Sequence, residues 1–198
     1  MKRALTRHWA LVTYVVATQA WLLSPALNHH ISFSKAYVSD LFLPTQPWAW
    51  LFRIIEVLSG LALTTASFQA IYKKAGDFNR SAGLWLIRVL GILTIIDGIF
   101  IDSCPSDKLA CSLHGPVLAI SIAHGIESIL SVVILLLLAC LVIRDLPRRR
   151  LLTYGLLACL VVILSLQLAG SYSILGKGLW QRAFITLSNV PVGIALLV

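Results

Sequence analysis

Pro116–Ile143, PVLAISIAHGIESILSVVILLLLACLVI, runs for 28 residues with a single carboxylate, Glu127, and no lysine or arginine. Wound into a helix at ~1.5 Å per residue, it reaches ~42 Å, more than the ~30 Å thickness of a bilayer's hydrocarbon layer. A helix this long with apolar residues on every side has no face to offer water, whereas in lipid it satisfies its own backbone and needs none. The stretch therefore reads as a transmembrane helix, and it sets the reading of the rest of the chain.

Working outward from it, five more runs of the same kind are bounded by charge, proline or glycine: Trp9–Asn28, Pro47–Tyr72, Ala82–Asp102, Leu151–Ser171 and Leu179–Val198. The composition agrees. Of 198 residues, 59% are hydrophobic and 12% charged, and the mean hydropathy is +0.89, outside the range of an ordinary soluble domain. The expected fold is all-α: a polytopic membrane protein of six transmembrane helices forming one domain over residues 1–198. The first run follows Met1-Lys2-Arg3 as a signal peptide would, but it carries Trp9, Gln19 and Trp21 and no small-x-small cleavage site, so it reads as a retained helix.

The net charge of +8 lies in short clusters between the apolar runs, at Lys2/Arg3/Arg7, Lys73/Lys74/Arg80 and Arg144/Arg148/Arg149/Arg150, while the alternate loops hold mainly Lys35, Lys108 and Lys177. Such clusters mark cytoplasmic loops, which gives both termini inside and a multi-pass protein of a bacterial-type plasma membrane. No basic stripe interleaved with aromatics points to nucleic acid. Membrane lipids are the expected partners. Gly83-Leu84-Trp85 and Gly178-Leu179-Trp180 begin the third and sixth spans on opposite sides, a faint echo that would suit an inverted three-plus-three repeat. Interface preference for tryptophan alone would also produce it.

Cys140 and Cys159 fall inside spans, where a free thiol acts as a small apolar group. Cys104 and Cys111 flank a polar loop on the expected outer side, and a disulfide between them is the preferred reading over a redox pair, since the two-residue spacing of Cys-x-x-Cys is absent.

Charges within the spans are the most informative feature, because each costs several kcal/mol in lipid unless paired, wetted or turned toward protein. Arg53, Glu56, Asp97, His124, Glu127 and Arg182 fall in the outer half, roughly 5–17 Å deep by helical rise; Arg88 lies in the other half. Arg53, Glu56, Gly60 and Thr64 follow one stripe of the second span. Ser121, His124, Glu127, Ser128 and Ser131 do so on the fourth, and Arg182, Thr186 and Asn189 on the sixth. Facing one another, these stripes would form a polar pocket between the second, third, fourth and sixth spans, roofed by the Cys104–Cys111 loop and the segment around Asp40.

With Arg53 and Arg182 to hold a phosphate bidentately, the pocket suits a lipid headgroup or small amphiphile. Three other readings stay open. The charges could simply join helices in a scaffold subunit. His124, Glu127 and Asp97 could hold a metal for intramembrane hydrolysis. The carboxylates could relay protons or ions in a transporter. No nucleophile elbow, phosphate loop, His-Glu-x-x-His or dinucleotide fingerprint occurs, so neither a named reaction nor a cofactor is expected.

Three pieces in order, Tyr37-Val38-Ser39-Asp40-Leu41 with Pro44, Pro105-Ser106-Asp107 with Leu113-His114-Gly115, and Gly178-Leu179-Trp180-Gln181-Arg182, resemble the prokaryotic membrane family catalogued as domain of unknown function 998. The resemblance spans almost the whole chain. It implies a compact multi-helix membrane protein and marks Ser39, Asp40, Pro105, Asp107, His114 and Arg182 as motif positions, without assigning them chemistry. More faintly, the Ser39-Asp40 element is similar to one in the eukaryotic damage-regulated autophagy modulators, some of whose relatives are tied to lipid organisation.

Overall fold

Ile129, Val133 and Leu137 follow helical spacing along the decisive stretch, and all three point away from the rest of the chain, Ile129 with 66% of its surface exposed. Val16, Ile54, Leu58, Ile92 and Val162 do the same on other helices. In water this outer shell of large aliphatic side chains would drive aggregation. In lipid it meets its own kind.

The computed structural model describes residues 2–28, 31–71, 78–100, 116–145, 150–169 and 176–197. The expected Cys104–Cys111 disulfide, with Asp107 and His114, lies outside the described residues. Every regular element among those described is helical: α1 (Lys2–Thr18), α2 (Ser24–Leu27), α3 (Ala49–Ile71), α4 (Phe78–Ile99), α5 (Pro116–Asp145), α6 (Arg150–Ala169) and α7 (Lys177–Leu197), with 3-10 turns at Ala20–Leu23 and Val38–Phe42. Four helical segments, His8–Leu27, Ala49–Phe68, Ser81–Ile99 and Leu118–Arg144, are long and apolar enough to cross a membrane. Further apolar helices follow in α6 and α7, of 20 and 21 residues.

The expected spans and the observed helices agree to within a few residues at most ends. The first span differs in kind. It is continuous helix only to Thr18, then tightens into the 3-10 turn and restarts as α2, with Pro25 in the first turn, where its missing N–H is not needed. The tightening turns Trp21 inward, against Phe33 at a ring separation of 5.6 Å.

Small residues decide how the bundle closes. Gly60 of α3 sits against Gly91 of α4, where an added Cβ on Gly91 would lie 2.5 Å from the Thr64 hydroxyl and 2.8 Å from the Gly60 carbonyl. Gly98 approaches Val57 and the Arg53 carbonyl in the same way. Close backbone approach through small residues is the usual means of joining helices in lipid, where no hydrophobic force draws them together. Gly60 and Thr64, expected on a polar pocket face, are therefore packing residues. α1 lies against α3 and α7, α5 against α4, α6 and α7, and α6 against α5 and α7 alone among the more extensive helix contacts.

Two buried clusters result. The larger runs through Tyr14, Leu63, Ile87, Leu90, Leu138, Leu160 and Phe184. The smaller, of Leu41, Phe42 and Phe52 with Trp21 and Val38 packed on it, lies under residues 31–48, the segment joining α2 to α3.

Candidate functional site

Residues 31–48 form a strap across one end of the bundle, held by polar groups that the helices send up to its backbone. The Val38 N–H donates to Gln181 Oε1 at 2.6 Å, and the Leu179 N–H, an otherwise unpaired donor in the first turn of α7, donates to the Ser34 carbonyl at 3.1 Å. Gly176 makes the approach possible with φ of +72°, and Gly178 passes so near the Ala36 carbonyl that a Cβ there would collide with it. Asp40, buried at the centre of the strap, accepts the Tyr37 N–H at 2.8 Å and closes the 3-10 turn.

Both outer arginines serve this strap. Arg53 donates from Nε and Nη2 to the Phe42 carbonyl at 3.0 and 2.8 Å. Arg182, 1% exposed, donates from Nη1 to the Ala36 carbonyl at 2.8 Å and lies over the Phe33 ring at 4.6 Å. Neither lines the cavity beneath. The phosphate-holding role expected of them would have to be played from beside the cavity rather than in its wall, with Arg182 Nε and Nη2 the buried guanidinium donors that the strap leaves without a hydrogen bond.

That cavity has a volume of about 200 Å³ and lies between α1, α3, α4, α5 and α7, capped by Val38, Ser39 and Phe42 of the strap. Its polar wall consists of Glu56, Thr94, Asp97, His124, Glu127, Ser128 and Ser131. Tyr14, Trp21, Phe52 and Phe184 are among the aromatic residues opposite and around it. His124 Nδ1 stands 2.8 Å from Asp97 Oδ1, with both side chains about one-seventh exposed at 14% and 16%. Glu127, 7% exposed, accepts a 2.6 Å hydrogen bond from the Ser131 hydroxyl one turn further along α5. One ligand atom from each of Asp97, His124 and Glu127 lies within 4.8 Å of the others.

Of the expected stripes, that on α5 turns into the cavity as a unit at His124, Glu127, Ser128 and Ser131, because spacings of three and four return to one helical face. On α3 the lining comes from Phe52, Ile55 and Glu56. On α7 it comes from Gln181, Phe184, Ile185 and Ser188, one position away from the stripe read in the sequence. That face turns elsewhere, Arg182 to the strap and the other two to the end of α1: Thr18 donates to Asn189 Oδ1 at 3.1 Å and Thr186 to Oε1 of Gln19, just past α1, at 3.0 Å. There the polar groups join helices. Arg88, midway along α4, packs its guanidinium 3.6 Å from the Phe68 ring centre and 4.3 Å from that of Trp85, a cation–π cage that makes a buried charge tolerable.

The first span's share of the cavity went unread. Tyr14, Thr18 and Trp21 recur at four and three residues, a helical stripe that could have revealed it. The two glycines of the Gly83 and Gly178 echo have different surroundings: Gly83 faces open space and Gly178 the strap.

The fold and the cavity together define a helical membrane protein with carboxylates gathered in a chamber inside the bundle. Comparison with known families places it further: a family described as protein of unknown function (DUF998) matches residues 10–198, and the chain belongs to it. No curated protein and no solved structure matches the chain, so the fainter likeness to the damage-regulated autophagy modulators gains no support from them.

Proposed function

We propose that the protein crosses a membrane six times, with both termini on the cytoplasmic side, and receives the polar head of a lipid or small amphiphile in the chamber beneath the strap. The observation that carries this is the two-sided lining of a single cavity: a wall of carboxylates, imidazole and hydroxyls facing aromatic and aliphatic side chains. A volume of about 200 Å³ is below the ~300–1,000 Å³ that encloses a whole drug-sized ligand, which suits a head whose tail remains in the bilayer. Charged residues placed inside a membrane bundle without function are rare, since each costs several kcal/mol.

Native mass spectrometry of the protein released from gentle detergent tests the reading. Ala17, small, nearly buried and part of the lining, becomes an obstruction on substitution by phenylalanine. Ala17→Phe is expected to lose a co-purifying amphiphile that Thr186→Ala, altered at the α1–α7 contact, retains. Equal retention in both sinks the proposal. The scaffold reading is favoured on one face only, by the Thr18–Asn189 and Thr186–Gln19 hydrogen bonds; it becomes the better account if no amphiphile accompanies the wild-type chain.

A further inference from the structure

Three carboxylates and one histidine share the chamber wall, and the two arginines that sequence reading placed with them are engaged elsewhere. A low-dielectric site with this balance needs positive charge from outside the chain or protons on its acids. The donor set favours the first. Imidazole and carboxylate together suit a dication of the zinc class rather than magnesium, which prefers oxygen and keeps its water. The ligand atoms of Asp97, His124 and Glu127 lie within 4.8 Å of one another, and a tetrahedral ion with bonds of ~2.1 Å would draw them to ~3.4 Å separations. Each of the three side chains has rotatable bonds with which to close that difference of about 1.4 Å. The Ser131 hydroxyl already holds one Glu127 oxygen, the kind of outer contact that orients a ligating carboxylate.

We propose that Asp97, His124 and Glu127 bind one zinc-class dication whose open coordination position faces the chamber. The ion offsets the charge of the two carboxylates that hold it and leaves a Lewis-acidic position open to the chamber. Where the chamber takes an amphiphile, a part of the inference that rests on the reading above, the head it selects is anionic or carbonyl-bearing, a phosphate or carboxylate oxygen completing the metal's coordination. No reaction is assigned to it.

The test uses the full-length protein in detergent, stripped by a chelator and then titrated with zinc, with magnesium as the hard-cation control. About one zinc per chain should be retained through gel filtration, with a raised melting temperature that magnesium at the same concentration does not give. Asp97→Asn, His124→Gln and Glu127→Gln change charge or donor with little change of shape, and each should lower zinc retention about tenfold or more. Ser128→Ala, on the same wall but outside the ligand set, should retain it. Gel-filtration profile and helical circular dichroism report whether each variant is folded. Failure of the folded wild type to retain or respond to zinc overturns the inference, as does wild-type retention by all three ligand variants. Native mass spectrometry on the same samples separates the two ideas. An amphiphile held without any zinc binding leaves the chamber reading standing and removes the metal; stoichiometric zinc on protein that carries no amphiphile does the reverse.

Discussion

Arg53 and Arg182 show that a residue's type leaves its partner open. From the sequence both are expensive charges at the depth of three carboxylates, and pairing them with a phosphate is the economical guess. In the structure each donates to a backbone carbonyl of the strap, a partner that no pattern of side chains reveals, because every residue has one. The carboxylates were legible for the opposite reason: Asp97, His124 and Glu127 have few ways to be satisfied in lipid other than by one another, a cation or a ligand. Removing Arg53 takes two charge-assisted donors from the Phe42 carbonyl, so Arg53→Ala should cost about 1.5–3 kcal/mol of stability. Arg53→Lys should recover only part of that, because an ammonium cannot reproduce the planar fork. Unfolding in mixed micelles titrated with sodium dodecyl sulfate measures both, and an unchanged midpoint for Arg53→Ala would show that the strap does not depend on this contact.

At the level of elements, helix positions were readable from length and hydropathy, while helix rotation was only partly so. Four of the five polar residues of the α5 stripe, His124, Glu127, Ser128 and Ser131, line the cavity, and Ser121 is not among them, so a long stripe fixes a helix's rotation even when one member departs from it. The α7 lining lies one position from the stripe read in the sequence, since Arg182 turns to the strap and Thr186 and Asn189 to polar groups at the end of α1, and their spacing is the same whichever surface they meet. The α3–α4 seam was hidden for a related reason: glycine is silent in hydropathy, and its role appears only where another backbone comes close. Gly83 and Gly91 make a matched comparison eight residues apart on one helix. Gly91→Ala pushes a methyl into Thr64 and the Gly60 carbonyl and should destabilise by about 1–3 kcal/mol through overpacking. Gly83→Ala meets open space and should be neutral or stabilising by up to about 1 kcal/mol, through helix propensity. Equal effects in the same micelle titration would remove the seam from the account of how the bundle closes.

For the whole molecule, the sorting of surface from interior is a statement about solvent. Cys140 and Cys159 are both exposed thiols on helices whose large exposed residues are aliphatic apart from Tyr154. In a Cys104→Ser/Cys111→Ser background they should react in proteoliposomes with a membrane-permeant, lipid-soluble maleimide and resist a charged one, which cannot enter the hydrocarbon layer. Rapid labelling of both by the charged reagent would place these surfaces in water and overturn the bundle's orientation to lipid. The strap has a separate consequence for biogenesis. Two of its anchors join Ala36 and Val38 to residues 146 and 143 positions further along the chain, so those contacts wait until α7 has been synthesised and inserted, while Arg53 can hold Phe42 from α3 earlier. Loops that close over such distances are slow to form. During that interval the carboxylates of α3, α4 and α5 lie beneath a roof held only from α3, so a chain that lacks its last helix should leave the acidic chamber partly open.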